Sequence, residues 1–161
     1  MTNLQNVYLV QPATVPQWQQ ARGLVEAYAA SLGVDLSFQD FAHELEHLHT
    51  EYGPPSGAFL LAQREDGVFL GCVGVRRFGA GVAEMKRLYV TPAGRGHGVG
   101  RRLAKAAIDV ARSAGYSRLV LDTLPSMTEA RSLYRSFGFT ATSAYRFNPV
   151  EGTAFLELRL D

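Results

Sequence analysis

The sequence predicts an α/β fold in which helices flank a mixed, mostly antiparallel sheet. Two patterns lead to this prediction. Three consecutive strand-like segments lie between Ala58 and Thr91 and are joined by short turns, which is typical of an antiparallel meander. Later in the chain, a helical pattern is followed by the apolar run Leu119–Leu121, which is typical of a strand buried on both faces. The length of 161 residues suits one domain, residues 1–161.

Seven segments are predicted to be strands. The turn Glu65-Asp66-Gly67 has the composition of a hairpin loop, so the second and third strands are expected to pair directly. A Gly-rich turn then leads into the fourth. The predicted strands are Leu4–Val10, Ala58–Arg64, Val68–Phe78, Val82–Thr91, Leu119–Leu121, Phe139–Phe147 and Ala154–Leu160.

Four segments have apolar residues at helical spacing. Pro16 opens the first. Ser37 with Asp40, and Ser126 with Glu129, match the spacing of a capping box and predict the N-termini of the second and fourth helices. The apolar residues of the four helices span Trp18–Leu32, Phe38–Leu48, Val99–Ala111 and Met127–Phe137.

The composition is that of an ordinary globular protein, with 47% hydrophobic and 19% charged residues. Its 16 basic and 15 acidic residues give a formal charge of +1, which argues against a nucleic-acid-binding surface. No apolar run approaches the roughly 20 residues that span a bilayer, and no secretory signal is visible. The single cysteine, Cys72, excludes an internal disulfide, and we expect it to be a small buried residue rather than a nucleophile. We therefore expect a cytoplasmic protein without nucleic-acid or membrane partners.

Alternate glycines from Gly94 to Gly100 predict an anion site between a strand and a helix. Glycine permits positive φ and close approach of a ligand, and the free N–H groups of the helix N-terminus point toward one place. A diphosphate is the natural ligand. Arg101-Arg102 replaces the Lys-Ser or Lys-Thr of a Walker A loop, and the glycines do not have the G-x-G-x-x-G spacing of a dinucleotide fingerprint. The alternative is a connector that binds no ligand. The predicted contacts are Arg95, Gly96, His97, Gly98, Val99, Gly100 and Arg101.

Three blocks of the sequence resemble the GNAT family of N-acetyltransferases. Arg95-x-x-Gly98-x-Gly100 matches the R/Q-x-x-G-x-G/A motif with which that family binds the pyrophosphate of acetyl-CoA. Ala83–Pro92 resembles the strand that leads into the motif, and Ala130–Phe139 resembles the family's A-x-x-L-Y-x-x-x-G-F helix end. The blocks stand in the family's order, so the resemblance covers nearly the whole chain.

The resemblance implies two splayed central parallel strands, ending at Val90 and Asp122, with the pantetheine arm between them. It implies that main-chain groups of Leu88 and Val90 pair with the pantetheine and that the Val90 N–H polarises the thioester carbonyl. Further coenzyme contacts expected on this basis are Tyr89, Thr123 and Tyr134. The implied activity is transfer of the acetyl group of acetyl-CoA to a primary amine, by direct attack in a ternary complex.

Two residues match the family's base and acid. An alkyl amine is mostly protonated at neutral pH, so a base must remove a proton before attack. Glu84 matches the family's glutamate base, acting directly or through a water, and Tyr134 matches the tyrosine that protonates the departing thiolate. The alternatives are that Glu84 is a strand residue paired with Lys86 or Arg87, and that Tyr134 is a core tyrosine.

The acceptor side is predicted in less detail. In the resembling family the first two helices shape the acceptor pocket, and the candidates in this chain are Asp35, Phe38, Phe41, Tyr52 and Tyr145. The acceptor is expected to be a small-molecule or peptide amine, and the resemblance allows a homodimer. A non-catalytic acyl-CoA sensor with the same fold is the alternative function.

The segment from His43 to His47 spells H-E-x-x-H, the motif of zinc metalloproteases. On a helix the two imidazoles would share a face, as zinc requires. That face lies roughly opposite the apolar stripe, whereas a catalytic zinc helix is buried against its protein. We therefore expect no functional metal, and a zinc hydrolase is the third hypothesis.

Overall fold

A computed structural model describes residues 6–161, apart from the side chain of Phe38. The strands in this part of the chain are β1 Val7–Val10, β2 Ala58–Arg64, β3 Phe69–Gly79, β4 Val82–Val90, β5 Arg118–Thr123, β6 Thr140–Ala141 and β7 Ala154–Arg159. The α-helices are α1 Val15–Leu32, α2 Phe41–Glu46, α3 Leu48–Glu51, α4 Val99–Ser113 and α5 Thr128–Ser136. Short 3₁₀ turns cover Ser37–Gln39 and Pro92–Gly94. Leu4, the predicted start of the first strand, lies outside the described residues.

The strands form one sheet in the order β1-β2-β3-β4-β5-β7-β6. β4 and β5 run parallel, and the other neighbouring pairs are antiparallel. Successive residues of a strand point to opposite faces, and β2 divides accordingly. Leu60 and Ala62 join the core cluster that includes α4, whereas Phe59 and Leu61 join a second cluster that includes α1. Helices therefore flank both faces, which confirms the predicted fold class.

A bulge in β4 determines where the sheet opens. Residues 72–74 of β3 face residues 86–89 of β4, so β4 contains one residue more. Arg87 lies in this bulge with a φ of 63°, in the left-handed region. A bulge bends its strand and increases its twist. β4 pairs with β5 only over Val82–Glu84, and beyond that point the two strands diverge. This divergence is the predicted splay of the parallel pair.

The predicted capping box at Ser37 and Asp40 is wrong. Asp40 has a φ of 56° and makes no side-chain hydrogen bond to the N-terminus of α2 among the described residues. The Ser37 N–H instead donates to Oδ1 of Asp35 at 2.9 Å, which starts the 3₁₀ turn. The left-handed Asp40 then ends that turn. As a result, the predicted second helix is divided between this turn, α2 and α3.

The predicted capping box at Ser126 and Glu129 is also wrong. α5 begins at Thr128, and its N-cap, Met127, makes no side-chain capping bond to the described chain. The Met127 Sδ instead accepts a hydrogen bond from the Leu124 N–H at 3.4 Å. The turn before α5 is therefore closed by a methionine and not by the expected serine.

The strand predicted over Phe139–Phe147 is confined to β6. The chain then leaves the sheet as residues 142–153, which we call the closing loop. Tyr145 and Arg146 of this loop bond to Glu84 of β4, which ties the loop to the central strands. Within residues 6–161, no helix has both the length and the apolar content needed to cross a membrane.

Candidate active site

The cleft opens where β4 leaves β5. Its outer part has a volume of about 520 Å³ and lies between β4 and α5, beside the end of α1. Five residues that were predicted to contact the coenzyme line it: Leu88, Tyr89, Val90, Arg95 and Gly100. The facing wall comes from residues 126–133. The sheet thus brings the predicted strand and the predicted glycine turn to one cleft.

The glycine turn meets this cleft at the N-terminus of α4. Gly96 and Gly98 have φ values of 80° and 76°, which residues with a Cβ rarely adopt. Gly98 is the N-cap, and no side chain of the described residues caps the helix. The N–H groups of the first helical turn are therefore free for a ligand. Since the helix dipole makes this end positive, the site suits a pyrophosphate.

Two arginines flank the glycine turn. Arg95 is exposed, and its Nε donates to the Val90 carbonyl oxygen at 3.2 Å, which holds the guanidinium at the rim of the outer cleft. Arg101 donates to Oγ of Ser136 at 3.0 Å and lies 5.1 Å from the ring centre of Phe137. Both cations therefore stand beside the free helix N-terminus.

The remaining predicted coenzyme contacts differ in their exposure and in their hydrogen bonds. His97 is exposed at the turn. Val99 is 2% exposed, so its main chain is the part that can meet a ligand. Thr123 is buried at the end of β5, and its Oγ1 donates to Met127 Sδ at 3.6 Å. The Thr123 hydroxyl is thus engaged with the turn before α5.

A smaller space of about 30 Å³, which we call the inner chamber, adjoins the outer cleft and shares four lining residues with it. A space of this size holds at least one water molecule. Polar side chains from both diverging strands, α1, α5 and two connecting segments meet there. They are Tyr28, Gln39, Lys86, Asp122, Tyr134 and Asn148. The inner chamber is therefore large enough for a reacting amine nitrogen or a water, with several polar groups around it.

Tyr134 lines the inner chamber, while Leu133 beside it lines the outer cleft. Its ring packs edge-on against Phe139 at 5.7 Å between centroids. Burial raises the pKa of Tyr134, and the nearby Tyr28 and Asp122 add to the effect. The hydroxyl therefore keeps its proton at neutral pH.

Glu84 is fully buried at the point where the strands separate. Its Oε1 accepts hydrogen bonds from Arg146 Nη2 at 2.7 Å and Arg76 Nε at 3.3 Å. Its Oε2 accepts from the Tyr145 hydroxyl at 2.7 Å and lies 4.0 Å from Nζ of Lys86. These partners enclose the carboxylate. A bound amine cannot touch it directly, so only an indirect route, as through Lys86 or a water, connects it to the inner chamber.

Lys86 lies between the Glu84 carboxylate and the inner chamber. Its side chain is 2% exposed, and Nζ donates to Oε1 of Gln39 at 2.9 Å. Burial is the largest influence on this amine and lowers the pKa of Lys86 to about 8. A base with a pKa near the working pH is well matched to proton transfer.

The predicted acceptor residues do not form the cleft wall. Asp35 is exposed and bonds to the backbone of its own turn, Phe41 packs against the α1-side core, and Tyr52 is fully buried in that core. Tyr145 bonds to the enclosed carboxylate. None of these four lines the outer cleft or the inner chamber. The side chain of Phe38 lies outside the described part of the structure.

Sequence reasoning missed most of the inner chamber. Lys86 and Asp122 lie on the two strands that were predicted to diverge. The sequence therefore already indicated that both residues lie near the point where the sheet opens. Gln39 and Asn148 come from connecting segments, whose path a local pattern does not determine. The Asn148 Nδ2 donates to Oδ2 of Asp122 at 3.2 Å, which ties the closing loop to the end of β5.

The H-E-x-x-H segment is divided between surface and core. The rings of His43 and His47 stack at 4.2 Å between centroids, while Glu44 points inward and forms a buried ion pair with Arg87. Within residues 6–161, no group of three or more His, Cys, Asp or Glu side chains is placed to hold a metal ion. The glutamate of the motif is therefore an internal ion-pair partner.

Cys72 is fully buried in β3. Its Sγ donates to the Arg87 carbonyl oxygen at 3.3 Å, and burial raises the pKa of the thiol. The thiolate needed for nucleophilic catalysis is thus disfavoured, in agreement with the expected role of a small buried residue.

Comparison with known proteins identifies the class to which this fold and cleft belong. The model of the acetyltransferase (GNAT) family matches residues 21–139. The chain therefore belongs to the GNAT acetyltransferase family. An uncharacterised N-acetyltransferase of Schizosaccharomyces pombe is 44% identical over 138 residues, which make up 85% of this chain and 85% of that protein.

Solved structures have the same fold. A GNAT acetyltransferase of Staphylococcus aureus superposes with a TM-score of 0.78 at 17% identity, over 96% of this chain and 99% of that one. An acetyltransferase of Salmonella typhimurium, solved with its cofactor acetyl-CoA, superposes with a TM-score of 0.67 at 23% identity, over 98% and 95% of the two chains.

Proposed function

We propose that this protein transfers the acetyl group of acetyl-CoA to a primary amine, by direct attack of the amine on the thioester in a ternary complex. The divergence of β4 from β5 carries this proposal. It opens the outer cleft at the free N-terminus of α4, next to the inner chamber that Tyr134 lines. A pyrophosphate would bind at the α4 end, and the reacting thioester would lie toward the inner chamber. The acetyl-CoA in the Salmonella structure of the same fold supports this choice of donor.

Acetyl-CoA supplies the activated acetyl group as a thioester. The free N–H groups of α4 would bind its pyrophosphate, with Arg95 and Arg101 adding positive charge. Main-chain groups of Leu88 and Val90, on the strand edge that β5 leaves open, would pair with the pantetheine. The Val90 N–H would polarise the thioester carbonyl.

Tyr134 is the proposed acid. The departing coenzyme thiolate resembles that of cysteine, whose pKa is about 8.5, so a proton donor beside the sulphur assists its expulsion. Burial keeps Tyr134 protonated, and it lines the inner chamber beside Leu133, which lines the outer cleft. The narrow inner chamber admits the amine end of a small-molecule or peptide acceptor.

Thiol release from acetyl-CoA, measured with a panel of amines, tests the activity. Tyr134→Phe should lower turnover by about 10²–10⁴-fold, the usual contribution of a general acid, while calorimetry still detects coenzyme binding. Tyr116→Phe is the matched control, since Tyr116 bonds to the Ser56 carbonyl oxygen and lines neither part of the cleft. Equal turnover in the two variants would exclude Tyr134 as the acid. Coenzyme binding without turnover on any amine would instead favour the sensor function.

A further inference from the structure

We propose, on the basis of the function above, that Lys86 is the base that removes the proton from the acceptor ammonium in the inner chamber. Lys86 stands on β4 two residues before Leu88, and its side chain ends among the groups that line the chamber. Within the described chain its Nζ has one hydrogen-bond acceptor, the Gln39 side chain. An amine nitrogen or a bridging water in the chamber is therefore in its reach.

The inner chamber favours Lys86 over Glu84 for this step. Glu84 is enclosed by two arginines and a tyrosine hydroxyl and is 0% exposed. Its lone pairs already accept hydrogen bonds, whereas a neutral lysine has a free lone pair. Lys86 lines the chamber, whereas Glu84 does not.

Charges from several elements surround Lys86. Glu84 and Arg87 lie on its own strand, Asp122 faces it from β5, and Arg146 faces it from the closing loop. Burial lowers the pKa of Lys86 most, Glu84 and Asp122 raise it, and the two arginines lower it, with a net value of about 8. Tyr28 of α1 and Tyr134 of α5 complete the wall. Part of Lys86 is then neutral near neutral pH, whereas an ordinary lysine, with a pKa of about 10.4, is almost fully charged.

Lys86 and Tyr134 together account for every proton that moves in the reaction. Neutral Lys86 takes one proton from the ammonium, and the freed lone pair forms the new C–N bond to the acetyl carbon. The C–S bond breaks, its electron pair leaves on the coenzyme sulphur, and the sulphur takes the proton of Tyr134. The second proton, lost from nitrogen as the amide forms, restores Tyr134. One proton per turnover leaves through Lys86.

A first test measures the Lys86 amine without any reaction. The chain has two lysines, Lys86 and Lys105, so protein with ¹³C-labelled lysine shows two ε-carbon resonances, and Lys86→Met identifies one of them by removing it. The Lys86 resonance should titrate with a midpoint near pH 8, against about 10.4 for an ordinary lysine. A midpoint of about 10 or above would overturn the proposal.

A second test measures kcat/KM against pH. In the wild type, log kcat/KM should rise with pH with a slope of one and level off near pH 8. In Lys86→Met and Lys86→Arg, kcat/KM should fall by about 100-fold or more and should no longer rise with pH in this way. Both variants should still bind acetyl-CoA. If kcat/KM rises with pH in both variants as it does in the wild type, or if only KM rises, Lys86 does not have this role. If the wild type turns over no amine, the function above fails and this role fails with it.

Discussion

Glu44 and Arg87 form a two-point ion pair inside the protein, with Nε–Oε2 and Nη2–Oε1 distances of 2.8 and 3.0 Å. Both side chains are almost completely buried. The pair links α2 to the bulge at which β4 turns away from β5. The glutamate of an apparent zinc motif thus stabilises the backbone where β4 and β5 diverge and the cleft opens.

Replacing Glu44 with Gln should lower the free energy of unfolding by about 3–5 kcal/mol, because the charge of Arg87 then stays buried without its partner. Urea denaturation at pH 7 measures this. Glu46→Gln is the matched control, since Glu46 lies on the same helix but is exposed, and it should have little effect. Equal losses in the two variants would contradict the structural role of the pair.

The same pair should make stability depend on pH in acid. Burial alone would raise the pKa of Glu44, but the hydrogen bonds and charge of Arg87 outweigh it and lower the pKa below the ordinary 4.5. The unfolded state then binds more protons in acid, so the stabilisation is present above about pH 4.5 and is lost as pH falls through the folded-state pKa. The difference in unfolding free energy between wild type and Glu44→Gln should narrow over this range. A constant difference from pH 7 to pH 3 would disprove the linkage.

Replacing each of two glycines with alanine should change the stability of the protein in opposite directions. Gly98→Ala should destabilise the protein by about 1–2 kcal/mol, the cost of a left-handed residue with a Cβ, and should weaken coenzyme binding if the helix N-terminus shifts. Gly23→Ala, in α1, meets no atom within 4 Å and should stabilise it by about 0.4–1 kcal/mol. Thermal unfolding and calorimetry with coenzyme A measure both variants. Destabilisation of the same size at both positions would show that the turn geometry is not the cause.

Glu84→Gln should affect stability as well as turnover. The carboxylate holds Arg76, Tyr145 and Arg146, and its loss should cost about 3 kcal/mol and speed amide hydrogen exchange in the closing loop. Lys86→Met should not speed that exchange. Lost turnover in Glu84→Gln with unchanged stability and loop protection would argue for a direct chemical role of the carboxylate.

Local patterns were sufficient for the fold class and for the glycine turn that precedes α4. Strand and helix periodicities are properties of neighbouring residues, and the left-handed Gly96 and Gly98 require the residue type that the sequence shows. The predicted capping boxes failed for a reason that is also local. Asp35 accepts a hydrogen bond from the Ser37 N–H that the first predicted cap would have used, and α5 begins only at Thr128, with Met127 and not Ser126 as its N-cap.

The inner chamber depended on contacts between distant residues. Lys86 bonds to Gln39 across 47 positions of the chain, and Arg146 bonds to Glu84 across 62. The sequence by itself determined that β4 carries Glu84 and Lys86, two residues apart. Only the tertiary structure decided that partners from β3 and the closing loop enclose the Glu84 carboxylate, while the Lys86 amine faces the inner chamber. The physical reason is that burial and charge around a side chain come from elements that meet only when the sheet and its bulge have formed.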